Sequence, residues 1–373
     1  MAEALNNLYV RKINKRRVFN LLYWEKEATK KDLALKLGLS LPTVSQIMKE
    51  LEEAGLVQTV GLQASSGGRK AKVSSIVNNS FYAGGIGITQ HHVRFAVLNL
   101  GQDVVARGRF RKSFSNTPEY WEEVSYMLQA FLLEHVPTGE NLGVGMSLPG
   151  VVNEAAGRVE HTFTLLGVDS LDLSLIRRFE EKEHPLLIGR DSVLAGKAEQ
   201  WFRKSSESAL YLMLNNVVGG SVMLRGEENQ LSPHSAEFGH MIIENGGRRC
   251  SCGRRGCFEA YCSSRFLMDE SGLPLEDFFA RLPEDDRFQR LWDDYLDHLA
   301  LGINNLRAIF DLDVIVGGEL SHHLSGYYDE LRRKISDTAL YPTDGSFVHL
   351  SNYSEYDAAV GAALLQIERF LDL

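Results

Sequence analysis

Between residues 14 and 55 the apolar positions recur with a helical period, and beyond that they shift to a two-residue one. In 14–24 (NKRRVFNLLYW), Val18, Leu21 and Leu22 share one helical face. Thr29 is placed to cap a second helix, TKKDLALKLGL, with Asp32 at the capping-box distance and Leu33, Leu35 and Leu37 as its apolar residues. Gly38 breaks that helix. Ser40 caps a third, with Pro42 in its first turn, Val44, Ile47 and Leu51 facing inward, and Gly55 as its end. Two short helices, a glycine turn and a third helix have helix-turn-helix spacing. LVQTVG and VSSIV flank the polar, glycine-containing QASSGGRKAK and predict the two strands of a wing. Residues 1–78 are therefore expected to form a winged helix-turn-helix.

Residues 79–373 read differently. FYAGGIGITQHHVRFAVLNLGQDVVARGRF alternates as three strands joined by short turns, followed by a helix over 118–135 and the strand and turn NLGVGMSLPG. Then come a helix at DLSLIRRFEEKEH, a strand at PLLIGRD and a helix at SVLAGKAEQWFRK. At ALYLMLNNVVGGSVMLRGEENQL the strand-turn-strand start recurs. A long helix over Asp286–Phe310, a buried strand at DVIVGGEL and a final helix at YDAAVGAALLQIERFL complete the chain. A meander followed by alternating helices and strands, occurring twice, predicts an α/β body of two similar lobes.

Charge divides along the same boundary. Residues 1–72 carry 13 Lys and Arg against 7 Asp and Glu, a net +6, whereas the remainder carries 27 basic against 42 acidic residues, a net −15. A basic head on an acidic body confines polyanion contact to the head. On the third helix Thr43, Gln46 and Lys49 fall at i, i+3 and i+6, opposite the buried positions, where side chains reach base edges in a major groove. Ser45 is placed for phosphate, and Ser40 at the cap joins the same face. Arg69 and Lys70 on the wing suit the backbone or the minor groove. A helical protein-interaction module with a solvated polar face is the other reading of this segment. Hydrophobic residues are 44% and charged residues 24%, ordinary for a globular chain. No apolar run approaches the roughly 18 residues of a membrane span, and the N-terminal residues show no export signal. A reducing cytoplasm is expected.

Three of the four cysteines, Cys250, Cys252 and Cys257, fall in CSCGRRGC, and His240 lies just upstream in EFGH. Three thiolates and an imidazole suit a tetrahedral Zn²⁺, and four protein ligands leave no open position for catalysis. The expected metal is structural, stapling a loop over about 240–257, with Gly253 and Gly256 permitting the tight return. The alternative is three ordinary thiols. Cys262 lies outside the spacing and reads as a small buried residue.

The order GGIGIT, SLPG, GRDSVLAGKAE, NNVVGGSV, EFGH with CSCGRRGCFEAY, and VIVGGEL resembles the ROK family (repressor, open reading frame, kinase) over about residues 80–373. The resemblance implies an actin-like ATPase (ribonuclease H-like) body, shared by sugar kinases and repressors. It also implies sugar contacts at Asp191, Glu237, His240 and Glu259. The family's kinases hold ATP phosphates on two glycine-rich turns, the first an Asp followed by Gly-Gly-Thr. Here the first reads Gly87-Ile88-Thr89-Gln90-His91-His92 and the second Asn215-Asn216-Val217-Val218-Gly219-Gly220-Ser221. The carboxylate is gone, and side chains stand where backbone N–H groups must approach phosphate. Phosphoryl transfer depends on that positioning, so kinase activity is not expected. Arg190 replaces a family Asn beside Asp191, and Leu165 stands near another; Arg190 either pairs internally, with Asp191 as the expected partner, or admits an anionic ligand such as a sugar phosphate.

These features predict a cytoplasmic, sugar-responsive DNA-binding regulator, a repressor of carbohydrate uptake or catabolism genes. It would act as a homodimer or dimer of dimers on operator DNA, with the zinc loop coupling pocket to head spacing. The alternatives are a sugar kinase carrying a DNA-binding head and a constitutive DNA-binding protein with a vestigial pocket.

Overall fold

The computed structural model describes residues 2–63, 71–101, 103–136, 140–153, 156–160, 162, 168–179, 185–203, 207–224 and 235–372. The head comprises α1 (Ala2–Glu25), β1 (Glu27–Thr29), α2 (Lys30–Leu37), α3 (Leu41–Glu53), β2 (Val57–Gln63) and β3 (Ala71–Ile76). Its strands form an antiparallel sheet in the order β1-β3-β2. The caps fall where the sequence places them. Thr29 and Asp32 form a reciprocal capping box, and the Ser40 hydroxyl accepts from the Thr43 N–H. Gly38 closes α2 in the left-handed region at φ 64°. Val18, Leu22, Leu33, Val44, Met48 and Leu51 form the centre of the head, each burial contributing about 1.5–3 kcal/mol. Leu35 departs from expectation: it is 80% exposed, because it lies two residues and so about 200° round the helix from Leu33. Helix α1 also begins well before residue 14.

The body opens with β4 (Phe81–Ile88), β5 (His92–Asn99), β6 (Val104–Arg111), α4 (Pro118–His135), β7 (Glu140–Leu148), β8 (Val151–Asn153), β9 (Arg158–Glu160), β10 (Ser170–Asp172), β11 (Leu187–Arg190) and α5 (Asp191–Arg203). Its main sheet has the order β11-β7-β4-β5-β6, antiparallel on the hairpin side and parallel on the crossover side. Strands β8, β9 and β10 form a small satellite sheet. The helix expected at DLSLIRRFEEKEH is not formed over its described part. Residues 173–179 make short 3₁₀ turns, because Leu173, Ile176 and Phe179 are buried at a spacing of three, the 3₁₀ period.

The second lobe repeats the plan with β12 (Ala209–Leu214), β13 (Val218–Met223), α6 (Glu259–Cys262), α7 (Ser264–Ser271), α8 (Leu275–Arg281), α9 (Asp286–Phe310), β14 (Asp313–Gly317), α10 (Ser321–Leu324), α11 (Tyr328–Thr338), β15 (Val348–Leu350) and α12 (Asp357–Asp372). Its sheet order is β13-β12-β14-β15, again an antiparallel hairpin continued by parallel strands. This repeated topology is the actin-like, ribonuclease H-like plan.

Helix α12 returns to the first lobe and lies against β4 and β7. A Cβ on Gly85 would stand 1.9 Å from the Ala359 carbonyl oxygen, and one on Gly145 would stand 1.9 Å from that of Ala362. Gly85 of β4 and Gly145 of β7 thus serve helix packing. The head rests on the same helix. Phe19 meets Phe370 edge-on at 5.8 Å, the Asn20 amide donates to the Leu371 carbonyl at 2.9 Å, and Trp24 packs on Trp201 of α5 at 5.0 Å. One apolar cluster consequently runs from the head core into the body.

Candidate functional site

The loop after β13 has few apolar residues of its own, and its shape is set by side chains that converge on one point. His240 ends a single 3₁₀ turn, and Cys250, Cys252 and Cys257 follow in a loop folded back at Gly253 (φ 87°) and Gly256 (φ 80°). The four ligand atoms lie within 4.8 Å of one another. Cys252 Sγ is 3.8 Å from Cys257 Sγ, and Cys250 Sγ is 3.7 Å from His240 Nδ1. Two sulfurs each about 2.3 Å from one tetrahedral ion stand about 3.8 Å apart, so the donor set fits a metal ion of zinc's size. Burial pushes the Cys250 thiol up to about 12 and raises Cys257, which leaves ionisation of these thiols dependent on a cation. At Cys252 burial also opposes ionisation, but hydrogen bonds from Arg254 and the neighbouring thiols bring it below the usual value. Arg254 also donates to the His240 carbonyl at 2.9 Å, closing the loop. Cys262 stands apart, fully buried against Tyr295.

A cleft of about 280 Å³ opens beside this loop, lined by Gly150, Arg190, Asp191, Glu237, His240 and Glu259 among others. Four elements bring the side chains together: the end of β11 gives Arg190, the first turn of α5 gives Asp191, the 3₁₀ turn and its cap give His240 and Glu237, and α6 gives Glu259. Desolvation raises the Asp191 carboxyl to about 6, against the downward pull of the Arg190 guanidinium and the Ser192 N–H, which donates to it at 2.8 Å. Arg190 is held internally, but its ion pair is with Glu237, Nη2 to Oε1 at 2.9 Å, and Nη1 donates to the Ser235 carbonyl at 3.3 Å. The partner expected from adjacency was Asp191. Neighbouring residues at a strand-to-helix turn project in different directions, which leaves the non-sequential Glu237 better placed.

Glu259 is 6% exposed and faces both ways. Its Oε2 accepts from the Val218 N–H at 3.3 Å, and its Oε1 accepts from Ser251 Oγ at 2.5 Å and from Cys250 Sγ at 3.5 Å. It therefore ties the cysteine loop to the second glycine turn as well as lining the cleft. Ser251 escaped notice in the sequence; its place between two cysteines was the available signal.

The two degraded turns meet. Asn216 Nδ2 donates to Gln90 Oε1 at 3.0 Å, one side chain from each lobe. The Thr89 hydroxyl donates to the His92 carbonyl at 3.1 Å, and Asn215 Oδ1 accepts from the Glu319 N–H at 2.7 Å. Side chains of the two turns thus hydrogen-bond across the lobes where the family resemblance puts the backbone N–H groups that hold phosphate.

In the head, Ser40, Thr43, Gln46 and Lys49 are exposed along one face of α3, with Ser45 half-buried at its edge. Gln46 Nε2 donates to Glu50 Oε1 at 3.2 Å, and Arg11 and Lys15 of α1 pair with the same carboxylate. Lys49 lies 3.7 Å from Glu53. Arg69, Lys70 and Leu165 lie outside the described residues. Among the described residues no helix is long and apolar enough to cross a membrane.

Comparison with known proteins agrees with this architecture. A ROK family model matches residues 83–369, and a winged helix-turn-helix DNA-binding model matches residues 11–58. The chain is 23% identical to the xylose repressor of Bacillus subtilis, over 100% of this chain and 99% of that one. It is 23% identical to the DNA-binding transcriptional dual regulator NagC of Escherichia coli, over 74% of this chain and 69% of that one. Among solved structures, a ROK family transcriptional regulator, a homolog of the E. coli MLC protein, shares the fold at a TM-score of 0.75, with 21% identity over 97% of each chain. The ROK hexokinase of Thermus thermophilus does so at 0.61, with 21% identity over 78% of this chain and 100% of its own. With a family model spanning most of its length and a winged helix in front, the chain belongs to the ROK family.

Proposed function

We propose that this chain is a sugar-responsive transcriptional repressor of carbohydrate uptake or catabolism genes, without phosphoryl-transfer activity. The observation that carries the reading is the unequal fate of the two halves of a kinase-type site. On the phosphate side the first turn lacks the carboxylate and Gln90 and Asn216 join the lobes by a hydrogen bond, while the other side keeps Asp191, Glu237, His240 and Glu259 around a cleft. The full-length likeness to a xylose repressor supports the same assignment. Two copies of α3 in a homodimer or dimer of dimers would meet an operator in a cytoplasmic setting. Thr43, Gln46 and Lys49 would read bases there, and Ser40, Ser45, Arg69 and Lys70 would steady the backbone.

His240, Cys250, Cys252 and Cys257 would hold a structural Zn²⁺, which supplies cross-linking of the loop and no chemistry. That fixes His240 and Glu259 at the cleft wall. Because Glu237 balances Arg190, the cleft suits a neutral polyhydroxylated ligand, with Asp191 and Glu237 accepting from adjacent hydroxyls. A sugar phosphate is the second choice, since it would have to displace Glu237 from Arg190. Sugar binding would favour one closure of the lobes, and the head, seated on α5 and α12, would follow. A vestigial pocket draws its support from Glu259, both of whose oxygens already have protein partners.

Calorimetric titration of the zinc-loaded chain with neutral sugars and sugar 6-phosphates tests the ligand, alongside operator affinity at fixed salt. One sugar that binds and weakens operator binding supports the reading. Sugar-dependent ATP turnover, or operator affinity indifferent to every sugar that binds, refutes it.

A further inference from the structure

Glu50 sits on the recognition face of α3, one turn beyond Gln46 and two beyond Thr43. A carboxylate is an odd choice there. It opposes the phosphates of any duplex laid against that face, and so near the C-terminal end of α3 it also opposes the helix dipole. Neither helix formation nor packing accounts for it, since its side chain is 20% exposed and reaches no apolar core.

Three side chains converge on this carboxylate from two helices. From α1, Arg11 Nη2 donates to Glu50 Oε1, and Lys15 Nζ stands 3.9 Å from Oε2. From α3 itself, Gln46 Nε2 donates to Oε1 at 3.2 Å. The hydrogen bonds from Arg11 and Gln46 hold the carboxyl below its ordinary value, so it is ionised at neutral pH. An ionised carboxylate offers acceptors only. The Gln46 carboxamide must therefore turn its NH₂ towards Glu50 and its carbonyl away. The two cations of α1 fix Glu50, and Glu50 fixes the amide. With one N–H of Gln46 taken, what remains for a base edge is one carbonyl oxygen beside one N–H.

In the major groove adenine presents the N6–H donor beside the N7 acceptor, the complement of that remaining pair. Guanine presents two acceptors, O6 and N7. A loose carboxamide can meet guanine by turning both N–H groups of its NH₂ towards them. With one N–H held by Glu50 that pose is lost, and the amide carbonyl would face an acceptor. We propose that Gln46 reads an adenine in each half-site and that Glu50 is the positioning residue that excludes guanine, anchored by Arg11 and Lys15. This rests on the DNA-binding reading of α3 and adds to it the base and the residue that enforces it. The arrangement costs affinity, because Arg11 and Lys15 hold a carboxylate rather than phosphate.

The test starts from the full-length, zinc-loaded protein, without sugar, and a pool of duplexes randomised over about 24 base pairs, enough for two half-sites a helical turn apart. Selection by the wild type should fix an adenine at one column of each half-site, and selection by Gln46→Ala from the same pool should lose that column. Fluorescence anisotropy at fixed salt then compares the selected duplex with one carrying guanine there. The wild type should prefer adenine by at least about tenfold. Glu50→Ala should bring the preference to within about threefold, chiefly through tighter binding of the guanine duplex, with affinity for the adenine duplex little changed. Glu50→Gln keeps an oxygen that accepts from Gln46 and should keep most of the preference, which separates lost positioning from lost folding. Equal weakening of both duplexes by Glu50→Ala marks a merely structural prop and overturns the proposal. So does a wild-type preference retained in full by that variant, or a base other than adenine at the Gln46 column. A wild type that enriches no sequence sinks the DNA-binding reading as well, whereas enrichment with an adenine preference indifferent to Glu50 sinks this proposal alone.

Discussion

Asp191→Asn should stabilise the ligand-free protein at neutral pH, although it removes a residue from the ligand cleft. Burial holds the Asp191 carboxyl near 6, against an ordinary value of 3.8, with Arg190 only partly compensating. The folded chain therefore keeps a proton that the unfolded chain has already lost between pH 3.8 and about 6. In that window the native state binds more protons, so stability falls as pH rises, and above pH 6 the full penalty of a buried carboxylate remains. A difference of about two pH units corresponds to about 3 kcal/mol at most, and the open cleft reduces that to about 1–3 kcal/mol. An amide of the same shape avoids the penalty. Urea unfolding of both proteins from pH 4 to 8, followed by tryptophan fluorescence, reads the effect directly. The stability gap should be close to zero near pH 4, open through pH 6 and level off by pH 7.5. A gap that is independent of pH, or a wild type more stable than the variant at pH 7, refutes the argument. The same substitution should weaken sugar binding, because the ring hydroxyls lose a charged acceptor.

Three further outcomes are expected. Cys257→Ser should abolish stoichiometric zinc, measured by atomic emission on dialysed protein, and should expose residues 241–258 to limited proteolysis. Gly85→Ala should cost about 3 kcal/mol or more in chemical denaturation, because its Cβ would meet the Ala359 carbonyl at 1.9 Å. Gly84→Ala, whose Cβ would have its nearest neighbour at 3.5 Å, should be tolerated, and equal losses at both positions would refute the helix-contact account. In the head, Gln46→Ala should lose about 1–3 kcal/mol of discrimination at one base position. Lys70→Ala should instead weaken binding across sequences and reduce the salt slope by about one, and fluorescence anisotropy over a salt series separates the two.

Elements with strong local signals were legible in the sequence. The helices 118–135 and Asp286–Phe310 fall where the periodicity puts them, and the Thr29 and Ser40 caps hold as drawn. The metal cluster was legible too, because its three sulfurs are close in sequence and need only a tight loop to meet. What failed had no local signature. Leu173, Ile176 and Phe179 suit two helical periods, and burial by the rest of the lobe selected the tighter one. Arg190 found Glu237, 47 positions along the chain, because folding rather than adjacency set the geometry. The glycines of GGIGIT entered the sequence reading only as part of the family resemblance, and no role was assigned to Gly85. Gly85 is required by a helix that arrives from the C-terminus, which no reading confined to that motif can anticipate.

Helix α5 has a consequence of its own. Its first residue, Asp191, stands in the ligand cleft, and near its other end Trp201 carries the indole of Trp24 from the head. The ten residue steps of α-helix between them make a rod of about 15 Å with no loop in between. A tilt of a few degrees at the cleft end would be delivered mechanically to the seat of α1. From that pivot α1 extends about 33 Å back to its start, so the same tilt is magnified along its length. Operator spacing would then respond to an ångström-scale event in the cleft through leverage, with no need for the head to detach.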